Sequence, residues 1–163
     1  MQIDWEKHHR FMPHPGWCGP TTIWMVLDAC GIKKNINKVA RDVWKKWYGT
    51  PPQLMAAYLA KHFDSVGYEV NCKISDISTY LKKGYVVIVN WQDNGEGHYS
   101  IVSDMGEGWI QMVDSSREHP WMYFVNTALF GKIWFDHLAD NKRLRHDGVL
   151  IWVDPRSVRE EQV

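Results

Sequence analysis

The sequence predicts an α+β domain in which helices come first and an antiparallel β-sheet follows. An apolar segment from Thr21 to Cys30 has the length and composition of a buried helix. Runs of strand length occur after residue 85, and glycine-containing turns connect them in place of helices. Helices and strands that are segregated in this way are typical of α+β folds, whereas strand–helix alternation is typical of parallel sheets.

The central helix begins near Cys18. Gly19 and Pro20 follow this cysteine, and proline is favoured in the first turn of a helix. The apolar segment then continues until Gly31 ends it. Caps and prolines predict three further helices, namely one from Asn35 through Trp47, one from Pro51 through Leu59 and a short one over Ser75 to Leu81.

The second half of the chain supplies the strands. Four are predicted, at residues 86–91, 98–103, 109–113 and 147–153. A glycine-containing loop at 92–97 and a turn at 106–108 connect the first three. With 163 residues the chain fits one domain. We assign residues 1–155 to that domain and residues 156–163 to a charged C-terminal tail.

Composition narrows the function classes. The chain has 19 Lys and Arg residues against 19 Asp and Glu residues, and this balance argues against a nucleic-acid partner. No apolar run is long enough for a membrane span. The first residues are polar and acidic, unlike a secretory signal, so a cytoplasmic location is the default expectation.

Cys18 is the strongest candidate for a reactive residue. The three cysteines do not form a zinc pattern or a disulfide framework, and we expect Cys30 and Cys72 to be packing residues. Cys18 instead lies between a loop and a helix start, where the unpaired N–H groups and the helix dipole favour a thiolate. The eight histidines form no HExxH or comparable ligand spacing, so we predict neither a metal nor another cofactor.

A thiolate nucleophile needs a base, and His98 has the best sequence context. It opens the second predicted strand, while His8 and His9 lie in a charged leader where we expect them to be solvated. If the turn between the second and third strands is centred at Gly106, His98 lies directly opposite Asp114, with side chains about 5 Å apart. A carboxylate in that position would hold the imidazole in one orientation and tautomer.

These residues resemble the peptidase C39-like group of papain-fold proteins. The resemblance consists of Cys18-Gly19-Pro20-Thr21-Thr22 at the start of an apolar helix, the central Gly49-Thr50-Pro51 and the later pairing of strand residue His98 with Asp114. It implies a papain-like fold and a Cys-His-Asp triad. In that triad Cys18 attacks an acyl carbon of a peptide or related amide, His98 transfers the proton and Asp114 orients His98.

The chain departs from this pattern on the oxyanion side. Papain-like enzymes commonly carry a glutamine six residues before the nucleophile, and this chain has Met12 there. The remaining oxyanion candidates are the backbone N–H of Cys18, His14 and, more remotely, Gln92. Among the ten tryptophans, Trp17, Trp91 and Trp121 are candidates to line a substrate cleft, together with Gly97 before the histidine.

The sequence is compatible with two classes of function. The first is a cysteine peptidase, or an amidase or acyltransferase that uses the same acyl-thioester. The second is a papain-fold binding module of weak or lost activity, which the methionine at the oxyanion position favours.

Overall fold

A computed structural model describes residues 2–46, 49–138 and 141–162 of the chain. The described helices are α1 Trp5–His8, α2 Cys18–Ala29, α3 Ile36–Val43, α4 Pro52–Leu59, α5 Ile74–Lys82 and α6 Thr127–Ile133. The described strands are β1 Val66–Glu69, β2 Val86–Asp93, β3 Glu96–Gly106, β4 Trp109–Val113, β5 Met122–Asn126, β6 Phe135–Leu138, β7 Asn141–Asp147 and β8 Val149–Val153.

Six of these strands form one sheet in the order β1-β8-β2-β3-β4-β5, and every neighbouring pair is antiparallel. Helices cover both faces. Helices α2, α3 and α4 pack with one apolar cluster of the sheet, and α5 and α6 pack with the other. Strands β6 and β7 form a separate hairpin, and β6 lies against β2. The predicted α+β class with an antiparallel sheet is confirmed.

Helix α2 is buried along most of its length, from Gly19 to Leu27. A Cβ on Gly19 would lie 2.6 Å from the Oγ1 and Cβ atoms of Thr50, so only glycine allows this loop to approach the helix start so closely. At the other end Gly31 adopts a φ of +80° and the Ile32 N–H donates to Leu27, as in a glycine-terminated helix.

Helix α3 is shorter than its sequence predicts. Asn35 caps it as expected, through a hydrogen bond from the Asn37 N–H. The helix ends at Val43, because Trp44 adopts an extended conformation and packs its ring against Trp17. The predicted continuation through Trp44 is therefore wrong, and residue 47 lies outside the described residues.

The β3–β4 hairpin does not have the predicted register. Its turn pairs Gly106 with Trp109, so it is centred beyond Gly106. A β-bulge follows at Ser103, which is the extra residue of β3, and the next regular pairs include Ile101 with Val113. The prediction that His98 lies directly opposite the residue after this strand is wrong.

The bulge nevertheless keeps His98 and Asp114 on the same face of the sheet. One step beyond the last regular pair, Ser100 comes opposite Asp114, and His98 is two residues from Ser100. Side chains two residues apart point to the same side of a strand. If Ser103 were paired regularly instead of bulged, the pairing at the turn would continue, Ile101 would come opposite Asp114, and Asp114 would face the opposite side from His98.

The N-terminal segment packs onto the domain, contrary to our expectation of solvated histidines. The ring of His8 forms a 2.7 Å hydrogen bond with the Asp28 carboxylate, and Nε2 of His9 donates to the Asp114 carbonyl at 2.6 Å. Further along, the Met12 N–H donates to the Ser115 carbonyl. The segment before Cys18 is thereby attached to the residues around Asp114.

At the other end of the chain, Pro155–Ser157 forms a short 3-10 helix. Val158 then forms an isolated β-bridge with Phe63, and the Arg159 N–H donates to the His62 carbonyl. The first residues of the segment that we assigned to a tail thus contact the domain. The boundary at residue 155 stays a prediction.

Candidate active site

Cys18 is the first residue of helix α2, and its side chain is partly exposed. The N–H groups of a first helical turn have no acceptor within the helix. They point toward the space in front of the cysteine, where the helix dipole also favours negative charge. The apolar sequence after Pro20 buries the helix, so the cysteine has a fixed position at its end.

His98 and Asp114 form a buried pair beside this cysteine. Nε2 of His98 lies 2.7 Å from Oδ1 of Asp114, and the side chains of the two residues are 8% and 0% exposed. The thiol of Cys18 acts on the same ring and raises its pKa, and Cys18 and His98 line one cavity. Because Nε2 is bonded to the carboxylate, Nδ1 is the ring nitrogen that remains for the thiol.

These contacts favour a charged imidazole. Burial alone would lower the pKa of His98, but its interactions with Asp114 and Cys18 outweigh burial and raise the pKa to about 10. Burial alone would raise the pKa of Asp114, and the hydrogen bond with His98 outweighs it, so the pKa of this carboxyl lies below its usual range. The pair is therefore an imidazolium and a carboxylate at neutral pH.

Asp114 has three hydrogen-bond donors in addition to His98. Ser100 Oγ and the Tyr123 hydroxyl donate to Oδ2 at 2.9 and 2.6 Å, and the Ser116 N–H donates to Oδ1 at 2.8 Å. The sequence interpretation missed these residues. Strand alternation from His98 could have identified Ser100, but Tyr123 lies on β5, which was not predicted.

A cavity of about 470 Å³ opens beside Cys18 and His98. Its walls are the loop before Cys18, the β2–β3 turn and the segment after Asp114. Of the sequence candidates, His14 and Gly97 line this cavity together with Met12. A larger cavity of about 780 Å³ lies between the N-terminal segment and the end of α5, and neither Cys18 nor His98 lines it.

The oxyanion candidates differ in where their donors point. The backbone N–H of Cys18 belongs to the first turn of α2. His14 lies on the cavity wall with its ring edge against Trp17, at a centroid distance of 4.6 Å. The amide of Gln92 donates instead to the Phe135 carbonyl at 3.1 Å, and Gln92 does not line the cavity.

The tryptophan candidates lie behind the cavity wall. Trp91 is 5% exposed, packs edge-on against the His98 ring and donates from Nε1 to Ser100. Trp17 packs between His14 and Trp44. Trp121 packs against the core cluster under the N-terminal segment. None of the three lines the cavity beside Cys18, and Trp121 instead lines the larger cavity.

A second histidine–carboxylate pair lies next to the first. Nε2 of His119 is 2.7 Å from Oδ2 of Asp93, and the His119 ring stacks on Tyr123 with centroids 4.9 Å apart. Its centroid is 6.2 Å from that of His98. The pair connects the β2–β3 turn to the segment after Asp114, which are two walls of the cavity.

The sequence profile described as the Peptidase_C39 like family matches residues 1–119, a segment that includes Cys18, His98 and Asp114. The chain belongs to this family. The resemblance inferred from the sequence is therefore confirmed. Among curated protein sequences, none matches the chain significantly.

Solved structures of similar fold are peptidases of the same group. A double glycine motif protease from an AMS/PCAT transporter, in complex with its leader peptide, has a TM-score of 0.62 and 11% identity, with 89% of each chain covered. The peptidase domain of Streptococcus ComA, a bifunctional ABC transporter of quorum sensing, has a TM-score of 0.64 and 12% identity, with 88% of this chain and 96% of that domain covered.

A Bacillus anthracis protein assigned as a C39-like peptidase has a TM-score of 0.65 and 13% identity, with 96% of this chain and 98% of that protein covered. At these identities the likeness demonstrates the fold. Together with the family membership, it supports a papain-like, cysteine peptidase-type function for this chain.

The two other thiols have a different environment from that of Cys18. Burial raises the pKa of Cys30 to about 11, and burial together with the nearby Glu69 and Asp76 carboxylates raises that of Cys72 to about 11. Within the described ranges, no group of three His, Cys, Asp or Glu side chains is arranged to hold a metal ion. No helix in the described part of the chain is long and apolar enough to cross a membrane.

Proposed function

We propose that this protein is a thiol hydrolase that cleaves a peptide or related amide bond through Cys18, His98 and Asp114. The observation that carries the proposal is that Cys18 and His98 line one cavity and interact there, while the buried imidazole is hydrogen-bonded to the Asp114 carboxylate. An imidazolium next to a thiol favours the nucleophilic thiolate, and the helix start at Cys18 acts in the same direction.

In the proposed reaction, Sγ of Cys18 attacks the acyl carbon and forms a tetrahedral intermediate. The imidazolium of His98 donates its proton to the leaving amine, so that the C–N bond breaks and an acyl-thioester remains. His98 then removes a proton from water, and the water oxygen attacks the thioester. The C–S bond breaks, the acid is released, and Cys18 leaves as the thiolate beside the protonated His98. Asp114 stabilises the imidazolium and fixes the ring throughout.

The oxyanion site contains the Cys18 N–H and one position that differs from the papain pattern. Met12 lines the cavity but has no side-chain donor, and His14 on the same wall is the proposed second donor. If His14 has this role, His14→Ala lowers turnover by about 100-fold, the usual effect of losing one oxyanion donor. Met12→Gln adds an amide at the same wall and restores activity to the His14→Ala variant.

Alkylation by iodoacetamide tests the nucleophile without a known substrate. The modification of each thiol is followed by peptide mass spectrometry across pH, and Cys30 and Cys72 serve as internal controls. We expect selective modification of Cys18 in mildly acidic buffer, and we expect His98→Ala to abolish this selectivity. Equal, slow labelling of all three thiols would refute the proposed nucleophile.

Peptidase activity requires a separate experiment. The protein is incubated with a defined peptide mixture, and cleavage is followed by mass spectrometry with Cys18→Ala as the matched control. New termini that depend on Cys18 support hydrolysis, whereas transfer products in the presence of an added amine support an acyltransferase.

The methionine at the oxyanion position favours the other candidate, a binding module of low activity. That candidate is favoured if Cys18 alkylates selectively but no peptide bond is cleaved.

A further inference from the structure

The loop between β4 and β5, residues 115–120, forms one wall of the candidate active-site cavity. At its base the Asp114 N–H donates to the Trp121 carbonyl at 3.0 Å. Within the loop, the His119 N–H donates to the Ser116 carbonyl at 3.3 Å. These backbone bonds fix the shape of the loop, but its distance from the other cavity walls depends on contacts with those walls.

The loop is attached to two other walls of the cavity. On the segment before Cys18, the Met12 N–H donates to the Ser115 carbonyl at 2.8 Å. On the β2–β3 turn, Oδ2 of Asp93 lies 2.7 Å from Nε2 of His119. Of the hydrogen bonds in the described ranges, only the second joins the loop to that turn. The distance between these two walls therefore depends on the bond between His119 and Asp93.

The β2–β3 turn gives Asp93 a defined position. Asp93 pairs in register with Glu96, and the two residues between them, Asn94 and Gly95, have φ angles of +51° and +82°. Positive φ at both central residues is typical of the type I′ turn, whose twist matches that of a hairpin. Because the hairpin determines where this carboxylate lies, its bond with His119 anchors the loop to the sheet.

The pair lies next to the candidate catalytic residues and is largely shielded from water. The side chains of His119 and Asp93 are 24% and 16% exposed. The His119 ring stacks on Tyr123, and its centroid is 6.2 Å from that of His98. A hydrogen bond in a partly buried position is stronger than one that is fully exposed to solvent. Loss of this bond is therefore expected to change the geometry of the cavity wall.

We propose that His119 and Asp93 are positioning residues that set the width of the cavity in which Cys18 reacts. Their bond holds the loop close to the β2–β3 turn, so that a peptide between these walls has its acyl carbon in line with Sγ of Cys18. Without the bond the loop moves outward, and the same peptide binds in several orientations, few of which are reactive. The inference rests on the proposed function, because the substrate that the walls hold is the one that Cys18 attacks.

Thiol reagents of different size measure the cavity width without a substrate. Iodoacetamide and an iodoacetylated alanine tripeptide share the same reacting group, and modification of Cys18 by each is followed by mass spectrometry. Each rate is divided by that for free N-acetylcysteine, which removes differences in intrinsic reactivity. His119→Phe keeps an aromatic ring against Tyr123 but has no donor. In this variant we expect the tripeptide-to-iodoacetamide ratio to rise by roughly two- to tenfold, as for the loss of one hydrogen bond.

Two other variants separate the hydrogen bond from the stacking of the ring. His119→Gln keeps an N–H donor but loses the ring, so we expect its ratio to be closer to the wild-type value than that of His119→Phe. Asp93→Ala removes the acceptor from the opposite side and is expected to give the same rise as His119→Phe. The double variant shows no further rise, because both changes break one bond. Asp93→Ala also keeps the proposal testable if His119→Phe does not fold.

His8→Phe is the matched control. His8 and Asp28 form a hydrogen bond of the same 2.7 Å, their side chains are 26% and 17% exposed, and neither residue lines the cavity. We expect this variant to leave the ratio within about twofold of the wild-type value, because distant sites act independently. An unchanged ratio in His119→Phe would overturn the proposal. So would an equal rise in His8→Phe, or a larger rise in His119→Gln than in His119→Phe.

Peptide cleavage distinguishes positioning from damage to the nucleophile. In His119→Phe we expect kcat/KM for a cleaved peptide to fall by about tenfold, while modification of Cys18 by iodoacetamide stays within about twofold of the wild-type rate. Equal losses of both rates indicate a distorted nucleophile and contradict a positioning role. Failure of the proposed function gives a different result. In that case the wild-type protein cleaves no peptide, and the reagent ratio still shows whether the pair sets the cavity width.

Discussion

Replacing Asp114 by asparagine removes the charge that holds His98 in its protonated form. The rise in the pKa of His98 from 6.5 to about 10 corresponds to about 5 kcal/mol in favour of the imidazolium, at about 1.4 kcal/mol per pH unit. Asp114 and Cys18 supply this stabilisation against the opposing effect of burial. Because Asp114 supplies part of this stabilisation, we expect Asp114→Asn to lower the midpoint of the His98 titration by about one pH unit or more.

The assay is heteronuclear NMR of the imidazole C–H groups across pH, and the His98 signal is identified by its absence in His98→Gln. Asp93→Asn is a matched control, because it breaks a histidine–carboxylate pair of the same 2.7 Å distance next to the first. We expect Asp93→Asn to leave the His98 midpoint near its wild-type value. The reasoning is refuted if His98 in Asp114→Asn titrates within about half a pH unit of the wild type, or if Asp93→Asn moves it equally.

Three further predictions concern stability. Gly19→Ala forces a Cβ to 2.6 Å from a threonine side chain, so we expect a loss of about 1–3 kcal/mol in urea unfolding. Gly131→Ala is the control, because a Cβ at this position of α6 meets open space; we expect it to raise the free energy of unfolding by less than about 1 kcal/mol. An equal loss of stability in the two variants would contradict the close approach of Thr50 to Gly19. Tyr123→Phe removes a donor to Asp114 and is expected to cost about 1–3 kcal/mol, measured by thermal unfolding. Between pH 6.5 and about 10, His98 is protonated in the folded protein but neutral in the unfolded chain. Its contribution to the free energy of unfolding therefore declines as pH rises through this range, by up to about 1.4 kcal/mol per pH unit. His98→Gln should flatten this part of the stability curve.

The helix that carries Cys18 was predictable because its signals are local. A proline in the first turn, an apolar circumference and a terminal glycine all lie within a few residues of one another. The same holds for strands β2, β3, β4 and β8, whose apolar runs are close to those expected. The order of these elements along the chain also indicated the resemblance to the family, and the match to the family profile confirms it.

The predictions that failed depended on contacts between distant residues. The end of α3 is determined by packing of Trp44 against Trp17, and the sequence around Trp44 contains no stop signal. The bulge at Ser103 cannot be read from an alternating pattern, since it depends on how the turn and the sheet twist fit together. Strand β6 was missed because it has only four residues and its position depends on contact with β2.

The bulge in the β3–β4 hairpin also determines how insertions and deletions act on this site. A single-residue deletion between His98 and Asp114 that leaves the bulge in place would turn the carboxylate to the other face, although every residue of the site would still be present, whereas deletion of the bulged Ser103 itself would keep Ser100 opposite Asp114. A two-residue change in the turn would preserve the face and alter only the hairpin length. In an alignment of relatives, it therefore matters most whether the number of residues between the histidine and the aspartate is odd or even. This number says more about whether the two side chains share a face than the identities of the intervening residues do. We expect functional relatives to differ there by even numbers, or to gain or lose a bulge with each odd one.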